Sequence, residues 1–230
     1  MAVNDLVLEY LGSHDIEIVG FADLSPLPPL EREHFPYGIS FGIPYSREGL
    51  IENIKGRPRR NYDEYLSYNQ RMADVGIGLA QELADLGYKA AAKPQHSITY
   101  DSDLRSVLPY KTVARLAGLG WIGKCALMVS EKYGSAFRLS MVLTTAPLIC
   151  DEPIETSLCE SDCTICRDVC PGGAPSGRLW ELGKDRSEFF EAALCREAAL
   201  RRARALMGIE HSVCALCMAN CPFTKRALGY

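Results

Sequence analysis

Apolar and polar positions alternate with recognisable periods over the first 150 residues and lose that regularity afterwards. Val3–Leu11 repeats at helical spacing, and Asp15–Leu24 (DIEIVGFADL) alternates as a strand does. The Pro-rich stretch Ser25–Pro29 interrupts regular structure, and Tyr37–Ile43 (YGISFGI) predicts a second strand closed by Pro44. The longest helical pattern runs from Asn61 to about Leu86, weakened midway by Gly76 and Gly78 and capped by Gly87. Tyr88–Ala92 predicts a strand, Lys111–Ala117 a helix, and Ala126–Val129 and Arg138–Thr144 two further strands. Beyond Cys150, cysteine, proline and glycine punctuate short helices, with one longer amphipathic helix predicted over Ser187–Met207. The pattern predicts an α/β domain over residues 1–150, followed by a small, mostly helical domain over residues 151–230.

Composition narrows the setting. With 47% hydrophobic and 23% charged residues in 230, the chain reads as an ordinary globular protein. A net charge of −4 gives no whole-chain reason to expect nucleic acid. No apolar run approaches the roughly 18 residues that span a bilayer. Met1–Tyr10, with Asn4, Asp5 and Glu9, lacks the layout of a secretion signal, so no membrane role and a cytoplasmic location are expected.

In a reducing compartment, ten cysteines point to metal binding or chemistry rather than to disulfides. None precedes Cys125, and eight fall between Cys159 and Cys221. Cys163-Thr-Ile-Cys166-Arg-Asp-Val-Cys170-Pro171 has the spacing C-x2-C-x3-C-P, and Cys214-Ala-Leu-Cys217-Met-Ala-Asn-Cys221-Pro222 repeats it. Each motif has one further cysteine upstream, Cys159 and Cys195. Paired C-x2-C also suits structural zinc, but the repeated third cysteine before proline is a ferredoxin habit. In two-cluster ferredoxins that third cysteine ligates the other cluster. The spacing therefore predicts two 4Fe–4S clusters, one held by Cys159, Cys163, Cys166 and Cys221, the other by Cys195, Cys214, Cys217 and Cys170. Three residues separate Cys159 from Cys163 where two are usual, which leaves Cys150 as an alternative to Cys159.

Gly118-Leu-Gly-Trp-Ile-Gly123 matches G-x-G-x-x-G literally, in the wrong context. A dinucleotide fingerprint follows a strand and opens a helix; here a helical stretch precedes and a strand follows. No acid lies about twenty residues on, at Leu139–Thr145. The residues alone favour a tight helix-to-strand turn, whose backbone N–H groups are free to face an anionic or bulky cofactor. The four histidines show no ligand spacing, and Cys125 reads as a small buried hydrophobe.

Ala117-Gly-Leu-Gly-Trp-Ile-Gly-Lys124, followed by Gly134-Ser135, Leu143-Thr144 and the two cysteine motifs, resembles the epoxyqueuosine reductase family and, more distantly, the reductive dehalogenases. The resemblance implies cobalamin bound in the α/β domain and fed electrons from the two clusters, with an external donor of the ferredoxin or flavodoxin type. It also implies that Gly118, Gly120, Trp121, Gly123 and Lys124 border the corrinoid. Where the family carries an acidic–basic pair, this chain has Tyr110-Lys111. Tyr110 is the expected proton donor, since cationic Lys111 favours the phenolate left behind, and Asp101 and Asp103 are the alternative acids. Arg196, Arg201, Arg202 and Arg204 are interleaved with Glu191 and Glu197 and read as a solvated helix face. The expectation is a shorter sister group without the helical-repeat extension, an iron–sulfur reductase of a small molecule or a corrinoid. An electron carrier without its own substrate, and an epoxyqueuosine reductase acting on tRNA, are the alternatives.

Overall fold

The computed structural model describes residues 2–230. In chain order it begins with α1 (Val3–Ser13), β1 (Ile18–Asp23), β2 (Tyr37–Pro44), α2 (Arg47–Ile54) and α3 (Arg59–Asp85). It continues with β3 (Ala90–Ala92), α4 (Tyr110–Leu116), β4 (Trp121–Ile122), β5 (Met128–Val129) and β6 (Phe137–Thr144). Four short or medium helices follow among the described residues: α5 (Ile165–Asp168), α6 (Ala192–Met207), α7 (Leu216–Asn220) and α8 (Pro222–Leu228). Two compact units share this chain, and neither is one continuous stretch. The first comprises residues up to Pro44, Ser67–Leu119 and Arg138–Ile154; the second comprises Tyr45–Leu66, Gly120–Phe137 and Glu155–Tyr230.

The first unit is built on a sheet of order β1-β2-β6-β3, in which β1 pairs with β2 and β3 with β6 in antiparallel register. β2 is buried along Gly38–Ile43; a strand covered on both faces reads as a nearly continuous apolar run. Its Ile39, Phe41 and Ile43 meet Val7 and Leu11 of α1 and Met72, Val75, Leu79 and Leu83 of α3. That three-and-four spacing on α3 is the stripe an amphipathic helix turns to a core. A second group joins Ala22, Leu24, Met141 and Leu143 to Val113 and Leu116 of α4. The two mid-helix glycines have a packing reason. A side chain at Gly76 would press on the Phe41 ring at 3.2 Å, and one at Gly78 would collide with the Tyr10 hydroxyl. The helix ends as predicted: Gly87 takes φ +88°, its amide bonds Ala84 O at 2.9 Å, and Tyr88 N–H reaches Leu83 O at 3.1 Å.

In the second unit β4 and β5 form a small hairpin, Trp121 opposite Val129 and Ile122 opposite Met128. Gly123 N–H donates to Leu127 O and Ala126 N–H to Gly123 O, both at 2.8 Å, and Ala126 adopts φ +58°. The strand expected from Ala126 therefore starts only at Met128. Ile122 and Ala126 pack with Trp180 and Phe189, while α7 lies against α2 and α5. Gly134, at φ +58°, passes so close to the Thr224 backbone that a side chain there would collide with it; Ser135 N–H donates to Thr224 Oγ1 at 2.9 Å.

The single helix expected over Ser187–Met207 is broken. Asp185 caps a 3-10 turn at Arg186–Glu188. Ser176 N–H then bonds Phe189 O, and Glu191 N–H bonds Ala174 O, each at 2.9 Å. Those bonds draw Phe189–Glu191 out before α6 starts at Ala192. The buried Phe189 ring outweighs helix continuity here.

Candidate iron–sulfur centre

The two cysteine motifs fold in the same register. Cys163 precedes the one-turn helix α5 and Cys166 is its second residue; Cys214 precedes α7 and Cys217 is its second residue. A short helix after the first cysteine turns the second back toward it, which a two-residue spacing permits. Cys170 and Cys221 follow the helices, each before a proline, and Pro222 opens α8 at its first position, where no N–H is needed.

Cys159, Cys163, Cys166 and Cys221 line one partly open cavity, together with Gly123, Lys124, Cys125 and Phe223. These are the four sulfurs of the first expected set. Of the other set, Cys195 lies near enough to Cys170 and Cys214 to feel their charge: burial first, and then those two neighbours, push its thiol up to about 11. Burial also raises the Cys221 thiol, with Cys159 adding to the effect. Cys217 and Cys166 each lie within hydrogen-bonding reach of the Cys125 thiol. Gathered thiolates repel one another in a buried site, so this arrangement asks for a cation to ligate. Each iron of a cluster takes one thiolate, and metal binding deprotonates the thiol.

Among the described residues, no group of three or more His, Cys, Asp or Glu side chains is arranged around a single ion position. Zinc would draw four sulfurs in to about 2.3 Å; four sulfurs spread around a cavity suit a multi-iron cluster better. Cys150 belongs to the first unit, where burial, then Asp23 and Asp151, raise its thiol to about 11. Cys159 rather than Cys150 lines the cavity.

The glycine-rich segment supports this cavity. Trp121 is 1% exposed, its ring meets Phe223 edge-on at 5.0 Å, and its Nε1–H donates to Cys159 Sγ at 3.5 Å. Lys124 is 2% exposed, with its ammonium donating to Ser161 O at 2.9 Å and Cys163 O at 2.8 Å. A side chain at Gly120 would collide with Val129 O, and one at Gly123 would meet the Val129 side chain at 2.8 Å. Gly118 faces Glu152 O at 2.9 Å in the same sense. The resemblance implies a corrinoid border here, but in the structure these directions are filled by the protein's own atoms. The Trp121 and Lys124 contacts tie this segment to the cysteine loop.

In the first unit, Tyr110 opens α4 with its hydroxyl donating to Lys93 O at 2.6 Å. Lys111 follows it, half-buried, and Asp103 is exposed on a turn whose amide bonds Asp101 Oδ1 at 2.9 Å. Two residues outside the expected ligand sets hold the second motif: Asn53, which the sequence did not single out, and Arg202, which it assigned to a solvated face. Asn53 Nδ2–H donates to Cys214 O at 2.8 Å, and Arg202 donates to Cys214 O at 3.4 Å and to Asn53 O at 2.8 Å. Arg202 is thus no part of a solvated face, although Arg201 and Arg204 do pair with Glu197 and Glu210 in solvent. Nothing local marks Asn53; only its burial inside a charged stretch gives it away.

No established family profile matches the chain. It is 31% identical over 167 residues to an epoxyqueuosine reductase of Synechococcus sp. (strain CC9605), covering 72% of this chain and 48% of that protein. The chain thus spans about half the length of that curated relative. Among solved structures, an epoxyqueuosine reductase crystallised with a tRNA-Tyr epoxyqueuosine-modified stem loop superposes with a TM-score of 0.62 at 18% identity. That match covers 97% of this chain and 65% of the other. The catabolic reductive dehalogenase NpRdhA superposes with a TM-score of 0.66 at 19% identity, over 95% of this chain and 31% of that one. The sequence matches make this chain similar to the epoxyqueuosine reductases, and the structural matches show a fold shared with them and with the reductive dehalogenase.

Proposed function

We propose that this chain is an iron–sulfur reductase of the epoxyqueuosine reductase kind, acting on a modified nucleoside carried in a tRNA stem loop. The observation that carries the redox part is the convergence of Cys159, Cys163, Cys166 and Cys221 on one cavity. The relatives' names support the reaction, and the stem loop held by one solved neighbour supports the substrate. The expectation against nucleic acid gives way to this reading. A net charge of −4 is a whole-chain sum and does not govern local phosphate contacts.

Reducing an epoxide to the alkene takes two electrons and two protons, breaks both C–O bonds and releases the oxygen as water. Bound 4Fe–4S clusters supply electrons one at a time, so a pair of clusters matches the electron count. Cys159, Cys163, Cys166 and Cys221 would hold one, and Cys170, Cys195, Cys214 and Cys217 the other. Lys124 fixes the Cys163 loop, and Asn53 with Arg202 fixes the backbone at Cys214. In this proposal Tyr110 delivers a proton, with Lys111 beside it, once its hydroxyl exchanges Lys93 O for substrate; Asp103 is the alternative acid.

The test begins with anaerobic reconstitution, where about eight iron and eight sulfide per chain are expected with a broad visible absorption. A stem loop bearing epoxyqueuosine should then bind with the salt dependence of phosphate contacts, and its nucleoside should lose the epoxide by mass spectrometry under reducing conditions. A colourless zinc protein would remove the redox assignment. A loaded protein that ignores the stem loop at low salt would remove the tRNA.

A further inference from the structure

The β4–β5 hairpin carries two polar groups that the cavity itself does not require. Trp121 is almost wholly buried, and an indole N–H is a donor with no acceptor capacity. It is spent on the sulfur of Cys159 at 3.5 Å. Three residues on, Lys124 is buried with its charge among the carbonyls of Ser161 and Cys163. A buried ammonium is costly unless negative charge lies nearby. Four thiolates around an iron–sulfur core, with a net charge of about −2 when oxidised, would supply it.

We infer that Trp121 and Lys124 are positioning residues that raise the reduction potential of the cluster held by Cys159, Cys163, Cys166 and Cys221. The inference rests on the iron–sulfur reading above. Reduction adds one electron, taken from an external donor of the ferredoxin or flavodoxin class, and places more negative charge on the ligand sulfurs. No bond breaks and no proton moves. An N–H aimed at Cys159 Sγ, and a fixed ammonium beside the Cys163 loop, both stabilise that added charge more than the oxidised state. Of the second set, the Cys170 sulfur accepts the backbone N–H of Ala174 at 3.4 Å, and Cys217 lies within reach of the Cys125 thiol in the hairpin turn. The two clusters should therefore respond differently to changes in the hairpin.

The experiment is a redox titration followed by electron paramagnetic resonance on the loaded full chain. It compares wild type with Trp121→Phe, Lys124→Met, and a variant carrying β-(3-benzothienyl)alanine at 121, which replaces the indole N–H by sulfur at nearly unchanged shape. Iron is counted in every sample. Each substitution should lower the first cluster's potential by an amount corresponding to roughly a tenfold change in its reduction equilibrium, about 59 mV for one electron. The second cluster, serving as internal reference, should shift clearly less. Equal shifts of both clusters, no shift, or loss of iron from the benzothienyl variant would each overturn the inference. A wild-type protein that takes up no iron would instead strike the underlying reading, so the two failures are told apart before any variant is made.

Discussion

The two units solve the same problem with different materials. The first buries large side chains against a sheet: Phe41, Ile39, Leu79, Leu83, Leu143 and others are inaccessible to solvent. The second also buries large side chains, Leu50, Trp121, Val129 and Phe189 among them, but what its helix α6 buries is small: Ala198, Ala199 and Ala203. Each fully buried large apolar side chain contributes about 1.5–3 kcal/mol, and an alanine far less. The C-terminal helices α6 to α8 thus gain little from apolar burial and, in the proposed reading, are held by sulfur–iron bonds between segments remote in sequence. In such a site, free energy of metal binding becomes free energy of folding.

Stripping iron from the anaerobic protein is the largest perturbation of this contrast. Amides of α7 and α8 should exchange with solvent roughly 10³-fold faster or more, while those of β2 and α3 keep their protection. Equal loss in both units would show that they do not differ as described. Phe41→Ala attacks from the other side. Removing a ring with no solvent exposure should cost about 3–5 kcal/mol in denaturant unfolding, with iron content per folded chain unchanged.

Gly134→Ala tests the second unit without touching a cysteine. Its φ of +58° and its approach to the Thr224 backbone predict a loss of roughly 3 kcal/mol, read as lower iron retention during dilution into denaturant. The smallest effect separates loaded from stripped protein by pH. Burial, then Cys170 and Cys214, hold the Cys195 thiol at about 11 in the folded state, above its ordinary value near 9. Its contribution is fully present below pH 9 and is lost as pH rises through 11, because the unfolded chain ionises first. The metal-free protein should lose about 2 kcal/mol across that window. With iron bound the thiolate is already formed, and a loaded protein showing the same loss would contradict Cys195 as a ligand.

What the residues reveal in advance follows the range of the forces involved. The helices and strands of the first unit are legible because burial imprints a period on neighbouring positions. Even so, β2 is covered on both faces and hides its alternation. The cysteine motifs are legible because two ligands on one turn must be close in sequence. Contacts between distant segments leave no such trace: Trp121 and Cys159 are 38 positions apart, and Asn53 and Cys214 are 161. Local propensity also misleads where a tertiary contact outbids it, as at Phe189. Arg202 looks like its neighbours on α6 until its partners are seen. No shift of composition marks Tyr45–Leu66 or Gly120–Phe137 as parts of the second unit.

The shared cavity of Cys159, Cys163, Cys166 and Cys221 has a consequence for biosynthesis. A ribosome must translate past Cys221 before the fourth sulfur exists, so three reactive thiols emerge early and wait. During that interval a nascent polypeptide offers oxidants an unguarded target, and assembly factors that deliver iron have a deadline set by elongation speed.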